Sequence, residues 1–176
     1  NNYFDAEQII LTSASSKTAL GLAFMLNHQR PSRNGTPQRI VALTSEGNAE
    51  FVSGLGYYDQ TIAYDQLDQL DSDAPSVLID FAGNGTVLAA LHQQLDKNLK
   101  YSSLVGAAHW DQRKGEKNLP GAKPEVFFAP GYWAKRNKEL GTAELMGRFA
   151  NLWAPLAKSV NSWIEIKTIE GTEAML

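Results

Sequence analysis

The chain has no cysteine, which excludes structural disulfides, thiolate zinc centres and thiol nucleophiles within these residues. It has no excess of positive charge either. Sixteen Lys and Arg stand against nineteen Asp and Glu, a formal net charge of -3, so neither a phosphate backbone nor an anionic membrane surface is an expected partner. Long apolar runs are also missing. The longest, Ala19 to Leu26, falls far short of the roughly 20 residues a bilayer span requires. No basic stretch followed by an apolar segment and a small-residue cleavage site opens the chain, so the expected compartment is the cytoplasm. Histidines number only three, and nothing in the chain has metal-ligand spacing.

What is present is enough for one domain with its own core: 176 residues, 43% of them hydrophobic. Short aliphatic runs alternate with helical patterns. Gln8 to Thr12 reads as a strand, Ser13 to Lys17 as a small polar turn and Thr18 to His28 as a helix. The Pro-, Arg- and Gly-containing segment Arg30 to Gln38 returns the chain to a second strand, Arg39 to Leu43. Asn48 is placed as the cap of a helix with Phe51, Val52 and Leu55 on its apolar face, ended by Gly54 and Gly56. Further strands are expected at Gln60 to Tyr64, Ser76 to Asp80, Lys100 to Val105 and Glu125 to Phe128. Between the second and third of these, Gly83 and Gly85 form a turn before a helix presenting Val87, Leu88, Leu91 and Leu95. Parallel strands need helical crossovers, so the alternation implies a doubly wound, Rossmann-like α/β fold of six strands.

Two later segments fit that pattern less simply. Leu145, Phe149, Leu152, Trp153, Leu156 and Val160 form a helical stripe that Pro155 should kink, and Ser162 to Ile169 alternates like a half-buried strand. A seventh strand has no place in a six-stranded nucleotide-binding sheet. Together with Asn1 at the start and a helix-like beginning at Glu170 to Leu176, it suggests a piece of a longer protein. The expected division is a dinucleotide-binding domain over 1–161 and, over 162–176, the start of a segment returning to a domain outside this chain. Such a chain is expected to fold alone but not to catalyse. An unpaired strand at Ser162 to Ile169 also leaves open a homodimer built on that edge.

In doubly wound sheets ligands sit beyond the carboxyl ends of the strands, where strand order reverses. After the first strand comes Thr12-Ser13-Ala14-Ser15-Ser16-Lys17-Thr18, with no glycine where a dinucleotide fold usually carries its Gly-rich fingerprint. The physical content of that fingerprint is present all the same. Small residues admit a pyrophosphate, hydroxyls donate to it, and the helix N-terminus and Lys17 favour negative charge. A plain cap by Ser16 or Thr18 with a solvated Lys17 is the simpler alternative. Ser16-Lys17-Thr18 also imitates the end of a nucleotide-hydrolase phosphate loop, but without the glycines and the arch between them.

After the second strand, Thr44-Ser45-Glu46-Gly47-Asn48 places neutral residues where an NAD enzyme keeps a carboxylate for the ribose 2'-hydroxyl, which points to NADP. No Arg stands there to meet a 2'-phosphate, and Glu46 would oppose one. Asp80-Phe81-Ala82-Gly83-Asn84-Gly85 and Gly106-Ala107-Ala108-His109 end the fourth and fifth strands in small residues that allow close backbone approach, or form ordinary turns. His109, beside Trp110 and Asp111, is read as a surface or packing residue rather than a catalytic one, and His28 and His92 as solvated helix residues.

On the stretches Ile10 to Ala19, Leu43 to Asn48, Gly54 to Asp59, Asp80 to Asn84 and Phe127 to Pro130, the chain resembles the cofactor domain of the medium-chain dehydrogenase/reductase superfamily, quinone-reductase-like branch. Within that likeness it is similar to a bacterial and fungal family known only as a domain of unknown function. The resemblance implies a larger parent in which an N-terminal chaperonin-like barrel carries most of the substrate pocket. It places NADP(H) pyrophosphate over Ser13, Ala14, Ser15, Ser16, Lys17 and Thr18, the adenosine ribose near Thr44, Ser45 and Tyr64, and the nicotinamide ribose near Gly83, Gly106 and Ala107; Asn48 and Asn84 complete the expected cofactor-binding set. The implied reaction is hydride transfer from NADPH to a carbonyl, enone or quinone as small-molecule substrate. The catalytic acid is not identified, and a non-catalytic nucleotide-binding or structural module on the same fold is the alternative.

Overall fold

The computed structural model describes residues 3–30, 39–105 and 118–165. The chain divides into two compact units, Asn1–Pro130 and Gly131–Leu176. The first holds a six-stranded parallel sheet made of β1 (Gln8–Leu11), β2 (Arg39–Thr44), β3 (Gln60–Ala63), β4 (Ser76–Asp80), β5 (Leu99–Leu104) and β6 (Pro124–Val126). Their order is β3-β2-β1-β4-β5-β6, the doubly wound arrangement expected from the alternation. The reversal lies between β1 and β4, with Leu11 beside Ala42 on one flank and Ile79 on the other.

The central strands are aliphatic throughout because both faces are covered. Ile9, Ile10 and Leu11 are buried without exception. One face joins Ile10, Val41, Leu43, Ile62 and Leu78 to Leu88, Leu91 and Leu95 of α3 (Gly85–Leu95). On the other, Ala42 packs with Val52 of α2 (Glu46–Gly54), Ala14 and Tyr58. Successive strand residues point to opposite faces, so Val41 and Leu43 serve one layer and Ala42 the other. α1 (Lys17–His28) buries Ala19, Leu20, Ala23 and Leu26, the i, i+4, i+7 spacing of a helix with one apolar stripe. Its end is tied down when Arg30 pairs with Asp59 at 2.6 Å, while the Ile40 N–H donates to the same carboxylate at 2.7 Å. Burial pushes the Asp59 carboxyl up, but Arg30 and that N–H outweigh it and hold it below its ordinary value.

Two expectations are corrected within this unit. Asn48 does not cap α2. The helix begins at Glu46, so the cap position falls three residues earlier, on Ser45, and exposed Asn48 lies inside the helix with its amide donating to Ser45 Oγ at 3.0 Å. Asn is a good cap wherever it stands at a boundary, but an acidic Glu46 suits the first turn and draws the start forward. His92 is not solvated. It lies one turn after Leu88, on the same face of α3, and is fully buried. Its Nδ1 sits 2.9 Å from the Pro120 carbonyl oxygen, which can only accept, so Nδ1 carries the proton and Nε2, 3.0 Å from Ser102 Oγ, accepts from that hydroxyl. His28 is exposed as expected and stacks on Phe24.

Gly121 stands close to the Pro120 carbonyl. Its φ is +77°, and a Cβ there would press into the Asp96 carbonyl oxygen, a backbone atom that cannot turn aside. Gly121→Ala is expected to cost about 2 to 3 kcal/mol, combining left-handed strain with an overpacked contact. The loss would appear as a lowered urea midpoint with an unchanged slope. A stability equal to the wild type would mean that this turn is free to rearrange.

The second unit is built on α4 (Ala129–Leu140), whose first residues belong to the preceding unit, and α5 (Thr142–Val160). They are joined at Gly141, whose φ of +80° makes the turn. α4 was not expected. Its Pro130-Gly131 start reads as a break, yet proline is tolerated in a first turn, where its missing N–H would have no helical partner. Of the stripe expected on α5, Leu156 is buried and Leu145, Leu152 and Val160 are half-buried, while Phe149 and Trp153 are exposed. Trp133, Phe149 and Trp153 form a run of ring contacts at 6.3 and 5.7 Å. The helix continues through Pro155. Of the strand expected over Ser162 to Ile169, residues 162–165 are not extended into a ladder, and the rest lie outside the described residues.

Candidate functional site

At the carboxyl end of β1 the chain leaves the sheet through Thr12 and Ser13. Ser13 takes a φ of +48°, the left-handed backbone that glycine supplies at no steric cost. The turn expected of a glycine is therefore made here by a serine. Ala14 follows with no exposed surface, its N–H donating to Leu43 O at 3.1 Å and its carbonyl accepting from Tyr58 Oη at 2.9 Å. A larger side chain at 14 would not fit under the loop. Burial pushes the Tyr58 phenol well up, so it remains a donor.

Ser16 is the N-cap of α1. Its Oγ accepts from Ala19 N at 3.4 Å and its carbonyl begins the helical ladder at Leu20. Thr12 N goes to Ile79 O, Ser13 N to Tyr64 Oη, Ala14 N to Leu43 O and Ser16 N to Ser13 O. Among the described residues the N–H groups of Ser15, Lys17 and Thr18 have no acceptor. They lie at the positive end of the α1 dipole. The ammonium of exposed Lys17 makes no ion pair within the described residues. Donors and cation thus stand together at the point where strand order reverses, an arrangement whose field favours negative charge.

Across the reversal, Thr12 Oγ1 donates to Asp80 Oδ1 at 2.6 Å, and both residues are buried. Thr12 Oγ1 accepts in turn from Phe81 N and Ala82 N, and the Asp80 carboxylate from Ala82 N and Gly83 N. One pair of side chains thus fastens the β1 and β4 loops together and satisfies the backbone of the second. Sequence reading passed over this pair. The available signal was a polar residue ending each of two apolar strands that stand side by side, with Leu11 opposite Ile79 in the register just before them.

The structure gathers Ser13, Ala14, Ser15, Ser16, Lys17 and Thr18 at one edge, with Tyr64 reaching them from the end of β3 through its 2.7 Å contact with Ser13 N. Thr44 is on the same edge but buried, and its carbonyl accepts from Tyr64 N. Ser45 is exposed at the start of α2. Gly83, with φ of +63°, is half-buried beside Asp80, and Asn84 caps α3 by accepting from Thr86 N and Val87 N. The side-chain oxygen of Asn84, a cofactor-binding candidate, is therefore engaged by the helix. Gly106, Ala107 and His109 lie outside the described residues. Among the described residues no cluster of His, Asp or Glu could hold a metal ion, and no helix is long and apolar enough to cross a membrane.

Residues 1–176 match the family described as a protein of unknown function, DUF2855. The chain belongs to that family. Comparison with curated proteins and with solved structures finds no match. The reading of this DUF2855 chain accordingly rests on its own geometry. That geometry offers binding groups in plenty and no described side chain placed as a nucleophile with its base. Tyr64, like Tyr58, is a perturbed phenol against the loop after β1. Its phenol is raised by burial and by the nearby Asp80 charge, with the Ser13 N–H pulling the other way, so the hydroxyl keeps its proton.

Proposed function

We propose that the crevice over β1 and β4 binds NADP(H), and that the chain is the cofactor-binding domain of a cytoplasmic oxidoreductase acting on a carbonyl, enone or quinone. The observation carrying this reading is the set of N–H groups at Ser15, Lys17 and Thr18 that find no acceptor among the described residues, beside the Lys17 ammonium, at the reversal of a doubly wound sheet. Residues around it fit the group. Ala14 keeps the floor of the loop small, and the left-handed Ser13 bends the chain clear of a phosphate. When bound, NADPH supplies the hydride, and the chain's own residues hold the phosphates and fix the orientation of the dinucleotide. The direct test is calorimetric titration of the protein with NADPH. Absence of binding would end the proposal.

NADPH is expected to bind about tenfold more tightly than NADH, the worth of one charge-assisted hydrogen bond from the β2 loop to the 2'-phosphate. The basis is Ser45, exposed at the end of β2 where a carboxylate would select NAD. Side-by-side titrations measure the ratio. Equal affinities, or tighter NADH, would mean that Glu46 reaches the ribose instead.

A second reading has its own support. The Ala82 and Gly83 N–H groups are taken by Asp80, and the Asn84 oxygen by α3. Among the described residues, the loop after β4 therefore has its N–H groups at 82 and 83 and its Asn84 acceptor already engaged, as suits a module that binds a nucleotide without turning it over. NADPH binding with no oxidation in the presence of quinones or enones, by the protein in its full-length form, would favour this module over the enzyme.

A further inference from the structure

We propose that Asn84–Gly85, at the start of α3, is a site of spontaneous deamidation, where the fold leaves the reacting pair open to solvent and supports the charge that ring closure creates. The reaction needs no ligand. Closure requires the backbone nitrogen after an asparagine to reach the side-chain carbonyl carbon, and a glycine in that position has no Cβ to obstruct the approach. Asn84 and Gly85 are both exposed, so base and water reach the pair and ammonia can leave it.

Three groups carry the chemistry. The nucleophile is the Gly85 nitrogen, whose N–H precedes the α3 ladder and finds no acceptor among the described residues. The electrophile is Asn84 Cγ, whose Oδ1 accepts from Thr86 N at 3.0 Å and Val87 N at 3.3 Å. The leaving group is Asn84 Nδ2, which makes no hydrogen bond among the described residues. As Gly85 N bonds to Cγ, negative charge develops on Oδ1, and the two N–H groups that already hold this oxygen stand at the positive end of the α3 dipole. The helix cap is at the same time an oxyanion seat. The Gly85 N proton goes to base, the Cγ–Nδ2 bond breaks, and ammonia departs with a proton from water to leave a succinimide. Water then opens the ring at either carbonyl, so the net change is asparagine and water to an acid and ammonia.

Opening at Cγ gives aspartate at position 84, a cap as good as asparagine and of the charge that a helix start favours. Opening at the other carbonyl gives an isoaspartyl link, in which the chain runs through the former side chain. The Asn84 main-chain carbonyl, which accepts from Leu88 N at 2.9 Å, then becomes a free carboxylate. Both the cap and the first ladder bond of α3 must be remade in that product, and α3 is the helix that carries Leu88, Leu91 and Leu95 into the core.

The test incubates the folded protein and follows Asn84 by mass mapping of fragments cut after Lys and Arg. The other Asn-Gly pair, Asn34–Gly35, lies outside the described residues and falls on a different fragment, because Arg39 separates the two. Fragment 40–97 should gain the mass of OH exchanged for NH2, placed by further fragmentation at 84 rather than at Asn48. The rate should rise with pH, since Gly85 N must shed its proton, and isoaspartate should accumulate beside aspartate. Gly85→Ala should lose the conversion over the same period, and alanine is accepted there because Gly85 is not among the glycines with left-handed φ. An Asn84 that stays intact in the folded protein for as long as the urea-unfolded chain needs to convert overturns the proposal. So does conversion at 84 that Gly85→Ala leaves unchanged.

Discussion

Replacing Lys17 with Ala should weaken NADPH binding by about 1.5 to 3 kcal/mol, an order of magnitude or two in the dissociation constant. Lys17 is the first residue of α1, exposed, and engaged with no acidic partner among the described residues. Removing it leaves nothing buried and unpaired behind, so the fold should be untouched and the loss should belong to binding. Exposure also sets where in that range the effect falls. At physiological salt the charge is screened over about 8 Å, which favours the lower end, and dilution of the salt should widen the gap between wild type and variant. Lys17→Arg should bind nearly as well as the wild type, because a phosphate reads the charge and accepts either donor. A dissociation constant indifferent to both substitutions and to salt would place the anion elsewhere, and would reduce the loop after β1 to an ordinary helix start.

That loop was legible in the sequence for a definite reason. An aliphatic run ending in Thr12, a cluster of small polar residues and a helical stripe beginning near Lys17 specify strand, turn and helix by local rules alone. The same rules placed every strand of the sheet to within a residue or two, since buried parallel strands are aliphatic and their boundaries polar. Local rules failed where two of them competed or where the deciding partner was far away. Asn48 and Ser45 are both capable caps, and the choice fell to Ser45. His92 is polar by type, but its spacing from Leu88 carries it into the core, where Ser102 and Pro120 satisfy it. Nothing near Ser13 in sequence announces a left-handed turn, because serine rarely adopts one. The contacts that hold it, from Tyr64 and from the Thr12–Asp80 pair beside it, join residues 51 and 68 positions apart.

Asp80→Ala should destabilise the protein by about 3 kcal/mol or more, because the carboxylate cannot be removed without orphaning several donors at once. The Thr12 hydroxyl, Ala82 N and Gly83 N all donate to it, and Thr12 and Asp80 are themselves buried beneath the half-buried Gly83. Thr12 could retain the Phe81 and Ala82 N–H groups as acceptor, yet its own proton would have lost its acceptor. Asp80→Asn should cost less, since the amide oxygen still accepts from Thr12 and Ala82, while its NH2 faces the Gly83 N–H donor to donor. Urea unfolding orders the three proteins as wild type, Asn, Ala. The same ordering should hold for NADPH affinity, because the pair fastens the two loops that flank the crevice, and a β4 loop free to shift changes the opening beside Ser13. A stability loss in Asp80→Ala below about 1 kcal/mol would mean that water replaces the carboxylate. The fastening of β1 to β4 would then rest on the strand ladder alone, with Leu11 and Ile79 as its last paired residues.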